Sequence, residues 1–316
     1  MLSMWPKEEK LKQFANRVIR KIKRDRLNRS LAKVHVAGIV KLLTFEERTA
    51  KIYLPTEDTG LSRQLHFSSI REWRSTKYLI DLLSQRNYGH IVDLGANLGY
   101  FVLIESLFSK AKITAIEPVK FNFDILSLNL SLNDLQDIDV RNVAVGNANS
   151  NVTIYEFGQK NWSTVDVGHA ELLKSQGYTA TKQQVKQIML DDLLGEFSDE
   201  QSAGLIRMDV EGFEFEILTA SSLLETRNYD LFIEFHSNIL GKSRSLTLLK
   251  HLKKCGYSDA VIVFNEEFSK DEQVLDYNDD RRVQNLSLDV LIDNFDIVTD
   301  QFVKENCGFE LFLCKA

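Results

Sequence analysis

Residues 91–100 read IVDLGANLGY, an apolar run that leads into a turn with two glycines. The run 91–94 has the length and composition of a short strand that is buried on both faces. From Tyr100 the apolar residues continue at helical spacing, so the turn joins a strand to a helix. Glycines in such a turn let the backbone approach a ligand, and the helix N-terminus beyond favours a carboxylate or a phosphate. The segment therefore predicts a ligand-binding turn.

An alternation of strands and helices continues along the chain from this segment. Short apolar runs predict strands at residues 91–94, 113–116, 140–145, 205–208 and 231–235. Helical patterns follow at residues 100–108, 120–132, 213–224 and 245–255. This order implies right-handed crossovers and an α/β fold with a doubly wound, parallel, Rossmann-like sheet. Two later runs, 260–264 and 309–313, predict an antiparallel strand pair that closes the sheet.

Two long segments depart from this alternation. Residues 152–194 contain a predicted strand, a polar stretch around Trp162 and a second strand that leads into Leu190. The acidic stretch 265–306 is too long for a plain turn, and we expect it to form a lid or a wall of the acceptor site.

The first 34 residues differ in charge from the rest of the chain. They contain eleven Lys and Arg against three Asp and Glu, whereas the whole chain of 316 residues has a net charge of −6. Between the basic residues, apolar ones recur at helical spacing from Leu11 to Ile22. This helix either packs on the body with a solvated basic face or contacts a membrane surface or a partner.

The domain boundaries follow from these patterns. Short β-branched runs between residues 34 and 67 predict a small β element after the basic helix. We therefore expect an N-terminal appendage at residues 1–70 and a main domain at 71–316, with its core at about 72–257 and closing strands within 258–316.

Composition excludes several classes of protein. No apolar window is long enough to span a bilayer, and the N-terminus has no apolar signal region. The acidic main body disfavours a nucleic-acid substrate, because phosphate neutralisation supplies much of that affinity. Three widely spaced cysteines fit neither a metal motif nor a disulfide framework, which favours a reducing cytoplasm.

An acid follows the second predicted strand. Glu117 lies 22 residues after Gly95, where doubly wound folds place a carboxylate on the ribose hydroxyls of a nucleotide. The dinucleotide fingerprint G-x-G-x-x-G requires glycines where this chain has Asn97 and Tyr100. The sequence therefore favours an adenosine-containing cofactor without a pyrophosphate over a nicotinamide dinucleotide.

Five segments in order carry a resemblance to a known family. They are IVDLGANLGY (91–100), AIEP (115–118), NVAVG (142–146), LDDLL (190–194) and IRMDVEGFE (206–214). Over about residues 72–257 the chain resembles the FkbM family of S-adenosylmethionine-dependent methyltransferases. The resemblance implies a class I methyltransferase fold, with S-adenosyl-L-methionine as cofactor. It implies cofactor contacts at Asp93, Gly95, Ala96, Asn97, Gly99 and Glu117, with Ala144 near the adenine and Glu72 near the methionine end. The family usually has Lys at the position of Arg207.

A second group of polar residues follows two predicted strands. Asp209 and Glu211 come after strand 205–208, and Glu234 and His236 end the next strand or follow it. Because carboxyl ends of parallel strands meet at one edge of a sheet, we expect these four side chains to converge as catalytic residues. An alcohol needs a base with a pKa near the working pH, and His236 is the candidate.

Alternative interpretations of these residues remain open in the sequence. His236 could bond to backbone in a purely structural role, and Asp209 with Glu211 could cap the next helix. Asp209, Glu234 and His236 could hold a divalent metal, although their spacing matches no dedicated motif, and we predict none. Trp162, Ser163 and Thr164 lie at the predicted active-site rim, where Trp162 could equally pack on the core.

The predicted function is methyl transfer to a hydroxyl group of a small-molecule or carbohydrate acceptor. Two other classes share parts of the pattern. A nicotinamide-dependent oxidoreductase would share the fold but needs a glycine at the position of Asn97, and a non-catalytic adenosyl-binding module would not need the converging acids and imidazole.

Overall fold

The computed structural model describes residues 36–58, 60–157, 163–165, 167–197, 202–263, 283–296 and 309–315. The predicted basic N-terminal helix, Trp162 and most of the acidic stretch 265–306 lie outside these residues. Among the helices of the described part, none combines the length and apolar composition that a membrane span requires.

The elements alternate in the predicted manner. The strands are β1 (Gly38–Phe45), β2 (Arg48–Pro55), β3 (His90–Leu94), β4 (Lys112–Ile116), β5 (Asp139–Arg141), β6 (Ala144–Gly146), β7 (Ser150–Phe157), β8 (Ala180–Met189), β9 (Gly204–Met208), β10 (Tyr229–Phe235), β11 (Tyr257–Val263), β12 (Val283–Ser287) and β13 (Phe309–Lys315). The helices are α1 (Leu61–Phe67), α2 (Trp73–Gln85), α3 (Tyr100–Phe108), α4 (Lys120–Leu132), α5 (Val167–Ser175), α6 (Leu190–Gly195), α7 (Glu214–Thr219), α8 (Leu223–Thr226), α9 (Ser237–Lys254) and α10 (Leu288–Asp293).

The main sheet confirms the doubly wound α/β prediction. Within the described residues it has eight strands in the order β12-β11-β13-β10-β9-β3-β4-β5. Strands β3, β4, β5, β9 and β10 are parallel to their neighbours within this set, and β13 runs antiparallel to both β10 and β11. The closing antiparallel pair is therefore confirmed as β11 and β13. The chain order reverses between β3 and β9, where open α/β sheets bind their ligands.

One predicted strand is wrong in its extent. Residues 140–145 form β5 of the main sheet and β6 of a separate sheet with β7 and β8. The side chain of Asn142 separates the two, because its amide donates hydrogen bonds to the carbonyl oxygens of Glu117 at 2.9 Å and Pro118 at 2.8 Å. These bonds turn the chain away from the main sheet before the second strand begins.

Two predicted helices also differ in their bounds. The helix predicted at 213–224 is two short helices, α7 and α8, with Phe213 as the residue that precedes the first. The helix predicted at 245–255 begins earlier, and Gly241 has non-helical backbone angles near its start. Part of the stretch 265–306 forms the edge strand β12 and helix α10, which pack on β11.

Two hydrophobic clusters cover the two faces of the main sheet. One contains α2, α3 and the inner face of the β1–β2 hairpin, including Leu43, Ile52 and Phe232. The other packs α6 to α10 on the opposite face, around Phe235 and Leu248. The hairpin therefore buries its apolar side chains in the same cluster as the first helices of the main domain.

Candidate active site

A cavity of about 670 Å³ opens at the carboxyl ends of β3, β4 and β9. The residues that line it come from the turns after these strands and from the second sheet: Leu94, Gly95, Asn97, Ile116, Glu117, Pro118, Val119, Asn122, Ala144, Val145, Ile154, Ser163, Thr164, Val165, Asp209, Val210, Glu211 and Phe213. The cavity thus lies at the point where the strand order reverses.

The turn after β3 approaches β9 closely. Gly95 has a φ of +82°, and a Cβ there would overlap the carbonyl oxygen of Asp209. Asn97 also has a left-handed backbone, with a φ of 52°, which Asn tolerates better than most residues. The amides of Gly95 and Ala96 both donate to the carbonyl oxygen of Ile116 at 3.0 Å. The turn is therefore held against both neighbouring strands.

Glu117 lies in the cavity wall with both carboxylate oxygens oriented by backbone amides. Asn97 N donates to Oε2 and Val119 N donates to Oε1, each at 2.8 Å. Burial raises the pKa of Glu117 to about 7, although these hydrogen bonds oppose the shift. A carboxylate has about four lone-pair sites, so these amides leave capacity for ligand hydroxyls.

An apolar wall faces this carboxylate. Val119, Ala144 and Ile154 are buried in one hydrophobic cluster with Val185, and the first three line the cavity. Such a surface suits a flat aromatic base better than a charged group. The predicted position of Ala144 beside an adenine is compatible with this wall.

Four of the predicted cofactor residues do not line the cavity. Ala96 is buried in the turn, and Gly99 directly precedes α3. Asp93 is fully buried and accepts a 2.9 Å hydrogen bond from Nη1 of Arg207, whose guanidinium lies over the ring of Phe101. Glu72 precedes α2 and is ion-paired with Arg71. We therefore interpret these residues as supports of the site.

The four predicted catalytic residues are brought together at one edge of the sheet. Asp209 and Glu211 line the cavity. Nε2 of His236 lies 3.6 Å from Oε2 of Glu211 and 3.6 Å from Oε1 of Glu234. His236 and Glu234 are not among the lining residues, and the imidazole lies next to the cavity beside Glu211.

Glu214 holds the other ring nitrogen of His236. Its Oε1 lies 2.6 Å from Nδ1, and its side chain is fully buried at the start of α7. A carboxylate on Nδ1 places the hydrogen on that nitrogen and leaves Nε2 directed toward Glu211. This arrangement orients an imidazole for proton transfer.

The acids around His236 change its charge. Burial alone lowers the pKa of His236, but the negative charges of Glu214, Glu234 and Glu211 outweigh it and raise the pKa well above its usual value. Burial also raises the pKa of Glu211 to about 8, with a further contribution from Asp209 and an opposite one from His236.

The predicted rim residues lie partly in the described chain. Ser163 and Thr164 line the cavity, whereas Trp162 lies outside the described residues. Thr164 donates its hydroxyl hydrogen to the carbonyl oxygen of Glu211 at 3.1 Å and pairs through its backbone with Tyr155. This segment connects the second sheet to the turn after β9.

The described geometry agrees with a family match. The model of the methyltransferase FkbM domain matches residues 93–258, which is more than half of the chain. The chain belongs to the FkbM methyltransferase family. The cofactor of the FkbM family is S-adenosylmethionine, and the strand order with an antiparallel β13 between β10 and β11 is that of class I methyltransferases.

The chain is similar to two proteins named as methyltransferases. "Methyltransferase 1" of Beauveria bassiana is 26% identical over 155 residues, and "Methyltransferase sdnD" of Sordaria araneosa is 27% identical over 166 residues. Each match covers 45% of this chain, and the chain matches 60% and 64% of the lengths of these two relatives. Among solved structures, M. jannaschii TYW2 in complex with AdoMet has a TM-score of 0.39 and 10% identity, with 89% of each chain covered.

The FkbM cofactor fits the residues present. The cavity offers a carboxylate at Glu117, an apolar wall at Ala144 and Ile154, and a turn at Gly95 where a side chain would overlap backbone. The carboxylate and the apolar wall match a ribose and an adenine, and the glycine lets the turn lie directly against Asp209 at the edge of the cavity.

Two functional candidates were missed in the sequence. Glu214 lies within the FkbM segment IRMDVEGFE, so the motif contained a signal for it. Glu310 lies in β13, far along the chain, and no local pattern indicated that this strand inserts beside β10.

Proposed function

We propose that this FkbM protein transfers the methyl group of S-adenosylmethionine to a hydroxyl oxygen of a sugar or another small-molecule acceptor. The observation that carries the proposal is the orientation of His236. Glu214 engages Nδ1 at 2.6 Å, so that Nε2 is directed toward Glu211 in the cavity wall.

Different residues of the cavity would hold the different parts of the cofactor. Glu117 would accept hydrogen bonds from the ribose hydroxyls, and Ala144 with Ile154 would cover the adenine. The turn at Gly95 and Asn97 would hold the amino-acid end. When bound, the cofactor supplies a methyl group that is made electrophilic by the positively charged sulfur.

The acceptor side removes a proton. His236 would take the proton of the acceptor hydroxyl at Nε2, which leaves the electron pair on the oxygen. The O–CH3 bond would form as the S–CH3 bond breaks, and S-adenosylhomocysteine would leave with that bonding pair on its sulfur. Glu214 stabilises the resulting imidazolium at Nδ1. Glu211 lines the cavity with its Oε2 3.6 Å from Nε2 of His236, so its carboxyl group would hold the acceptor hydroxyl beside the imidazole.

The character of the acceptor follows from charge and lining. Asp209 and Glu211 place two carboxyl groups in this part of the wall, while Ser163 and Thr164 add hydroxyl groups. A neutral acceptor rich in hydroxyls can donate hydrogen bonds to all of these groups, whereas an anionic one would be repelled.

Free thiols at Cys255 and Cys314 support a reducing cytoplasmic location, which we include in the proposal.

The test combines product analysis with two variants. The protein is incubated with S-adenosylmethionine labelled in the methyl group and a panel of sugars and small alcohols, and products are identified by mass spectrometry. We expect label on an oxygen with wild-type protein and a strong loss with His236→Ala. Label on nitrogen or carbon would contradict the proposed reaction, and loss of product in Glu211→Gln with full activity in His236→Ala would assign the base to Glu211.

A further inference from the structure

Three carboxylates converge beside the site, between the main sheet and the start of α2. Glu72, Glu234 and Glu310 each offer an oxygen, and these oxygens lie within 4.8 Å of one another. This spacing leaves room for one ion with all three as ligands, because oxygen ligands lie about 2.0–2.6 Å from magnesium or calcium.

The fold forces two of these acids together. Glu234 of β10 and Glu310 of β13 are directly opposite each other in the antiparallel register. Directly opposed like charges destabilise a sheet. Glu72 joins them because α2 packs over the same face, where the ring of Tyr78 stacks on Phe232, two residues before Glu234.

Glu310 provides a second and separate observation. The residue is only 2% exposed, and its Oε1 has no hydrogen-bond partner among the residues that the structure describes. Oε2 of Glu72, on a side chain that is 8% exposed, is also without a partner within that described set. Buried carboxylate oxygens are costly without a donor or a cation, so these oxygens point to a ligand in the cluster.

Neighbouring cations act on these carboxylates without a described hydrogen bond to Oε1 of Glu310. The charge of Arg71 acts on Glu72 and Glu234, and the charge of Arg207 acts on Glu310. Arg71 is ion-paired with Glu72, and Arg207 donates to Asp93. His236 approaches Glu234 at 3.6 Å while its other nitrogen engages Glu214. None of these three contacts is a hydrogen bond to Oε1 of Glu310, the oxygen that has no partner among the described residues.

We propose that Glu72, Glu234 and Glu310 bind one divalent cation, a site distinct from the cofactor cavity. The ligand set is all carboxylate, which selects hard cations such as Mg²⁺, Mn²⁺ or Ca²⁺. The ion joins the start of α2 to β10 and β13 and separates the opposed charges of Glu234 and Glu310. A second trio, Asp209, Glu234 and His236, has comparable spacing and shares Glu234. Among the described residues of the two trios, only Glu72 and Glu310 have a buried oxygen without a hydrogen-bond partner, which favours the all-carboxylate trio.

The experiment measures Mn²⁺ binding to chelator-treated full-length protein, using the loss of the electron paramagnetic resonance signal of free Mn²⁺. We expect one Mn²⁺ per chain and an increase in Tm on binding. Glu310→Gln and Glu72→Gln should each weaken binding at least about tenfold. Glu105→Gln is the matched control, because Glu105 is a fully buried carboxylate of α3 that lies outside the trio, and it should bind as wild type does.

Several outcomes would overturn the site. Absence of Mn²⁺ binding by folded wild-type protein is one, with folding checked by circular dichroism. Binding that persists unchanged in both Glu310→Gln and Glu72→Gln is another, since it would place the ion elsewhere. Displacement of Mn²⁺ by S-adenosylhomocysteine would assign the three carboxylates to the cofactor's ammonium group. All of these readouts are independent of methyl transfer.

Discussion

Nδ1 of His236 lies 2.6 Å from Oε1 of Glu214, and both side chains are buried. The two residues come from different crossovers, since Glu214 begins α7 and His236 directly follows β10. Their contact determines which imidazole nitrogen is directed toward the cavity. It makes Glu214 a positioning residue for the proposed base.

Replacement of Glu214 tests this relationship. Glu214→Gln removes the negative charge that orients and stabilises the imidazolium, so we expect kcat to fall by about 10²- to 10⁴-fold with little change in the cofactor Kd. The pKa of His236 should also fall, because Glu214 contributes most to its increase. The rise of rate with pH should therefore move to lower pH. A variant that changes stability but not this pH profile would limit Glu214 to a structural role.

Replacement of His236 tests the base directly. His236→Ala should lower turnover by about 10²- to 10⁴-fold at saturating acceptor, while calorimetry with S-adenosylhomocysteine gives an almost unchanged Kd. Near-normal turnover would mean that an acid or water removes the proton.

The pH dependence of the parent enzyme has a defined sign. Only neutral imidazole accepts a proton, and the surrounding acids raise the pKa of His236 well above 6.5. We therefore expect kcat to increase as pH rises through this elevated pKa, at a higher pH than an unperturbed imidazole would give. A rate that is already constant from about pH 6 upward would disagree with this expectation.

Replacement of Glu117 tests the ribose contact. Glu117→Ala should weaken cofactor binding by about 1–3 kcal/mol, the usual loss for hydrogen bonds to a charged group. Wild-type affinity should increase as pH rises through neutrality, because the carboxylate ionises around a pKa of about 7. Calorimetry measures both effects, with the exposed Glu171→Ala of α5 as the control. Unchanged affinity in Glu117→Ala would remove this residue from the cofactor site.

Truncation tests the N-terminal appendage. Deletion of residues 1–30 removes the basic segment, whose charge is opposite to that of the body. We expect soluble protein with wild-type cofactor affinity, and reduced binding to anionic vesicles if the segment contacts membranes. An insoluble truncated protein would show that the segment packs as part of the core.

Replacement of Arg207 tests the buried ion pair. Arg207→Leu leaves the fully buried Asp93 without its 2.9 Å partner and should lower the free energy of unfolding by about 3–5 kcal/mol. Arg207→Lys retains the positive charge and should lower the free energy of unfolding by less than Arg207→Leu does. Denaturant unfolding of both variants measures the difference. An equal loss of unfolding free energy in the two variants would argue against an effect of charge.

The amino-acid sequence by itself determined the α/β class, the glycine turn after the first strand of the main domain and the grouping of four polar side chains at one sheet edge. These features are local, because a buried strand, a glycine turn and the next helix follow one another within residues 91–108. The carboxyl ends of neighbouring parallel strands necessarily meet, so the positions of Asp209, Glu211, Glu234 and His236 along the chain are enough to group them at one sheet edge.

Other features depended on tertiary structure. The hydrogen bonds of Asn142 divide the strand predicted at 140–145, and periodicity contains no information about a side chain that bonds to a distant carbonyl. The contact of Glu214 with His236 requires the relative placement of two crossovers. Glu310 reaches Glu234 only because β13 inserts antiparallel beside β10, a long-range pairing that depends on how the whole sheet packs. The sequence specifies which chemical groups are present, and the long-range packing of strands and helices decides which of them meet.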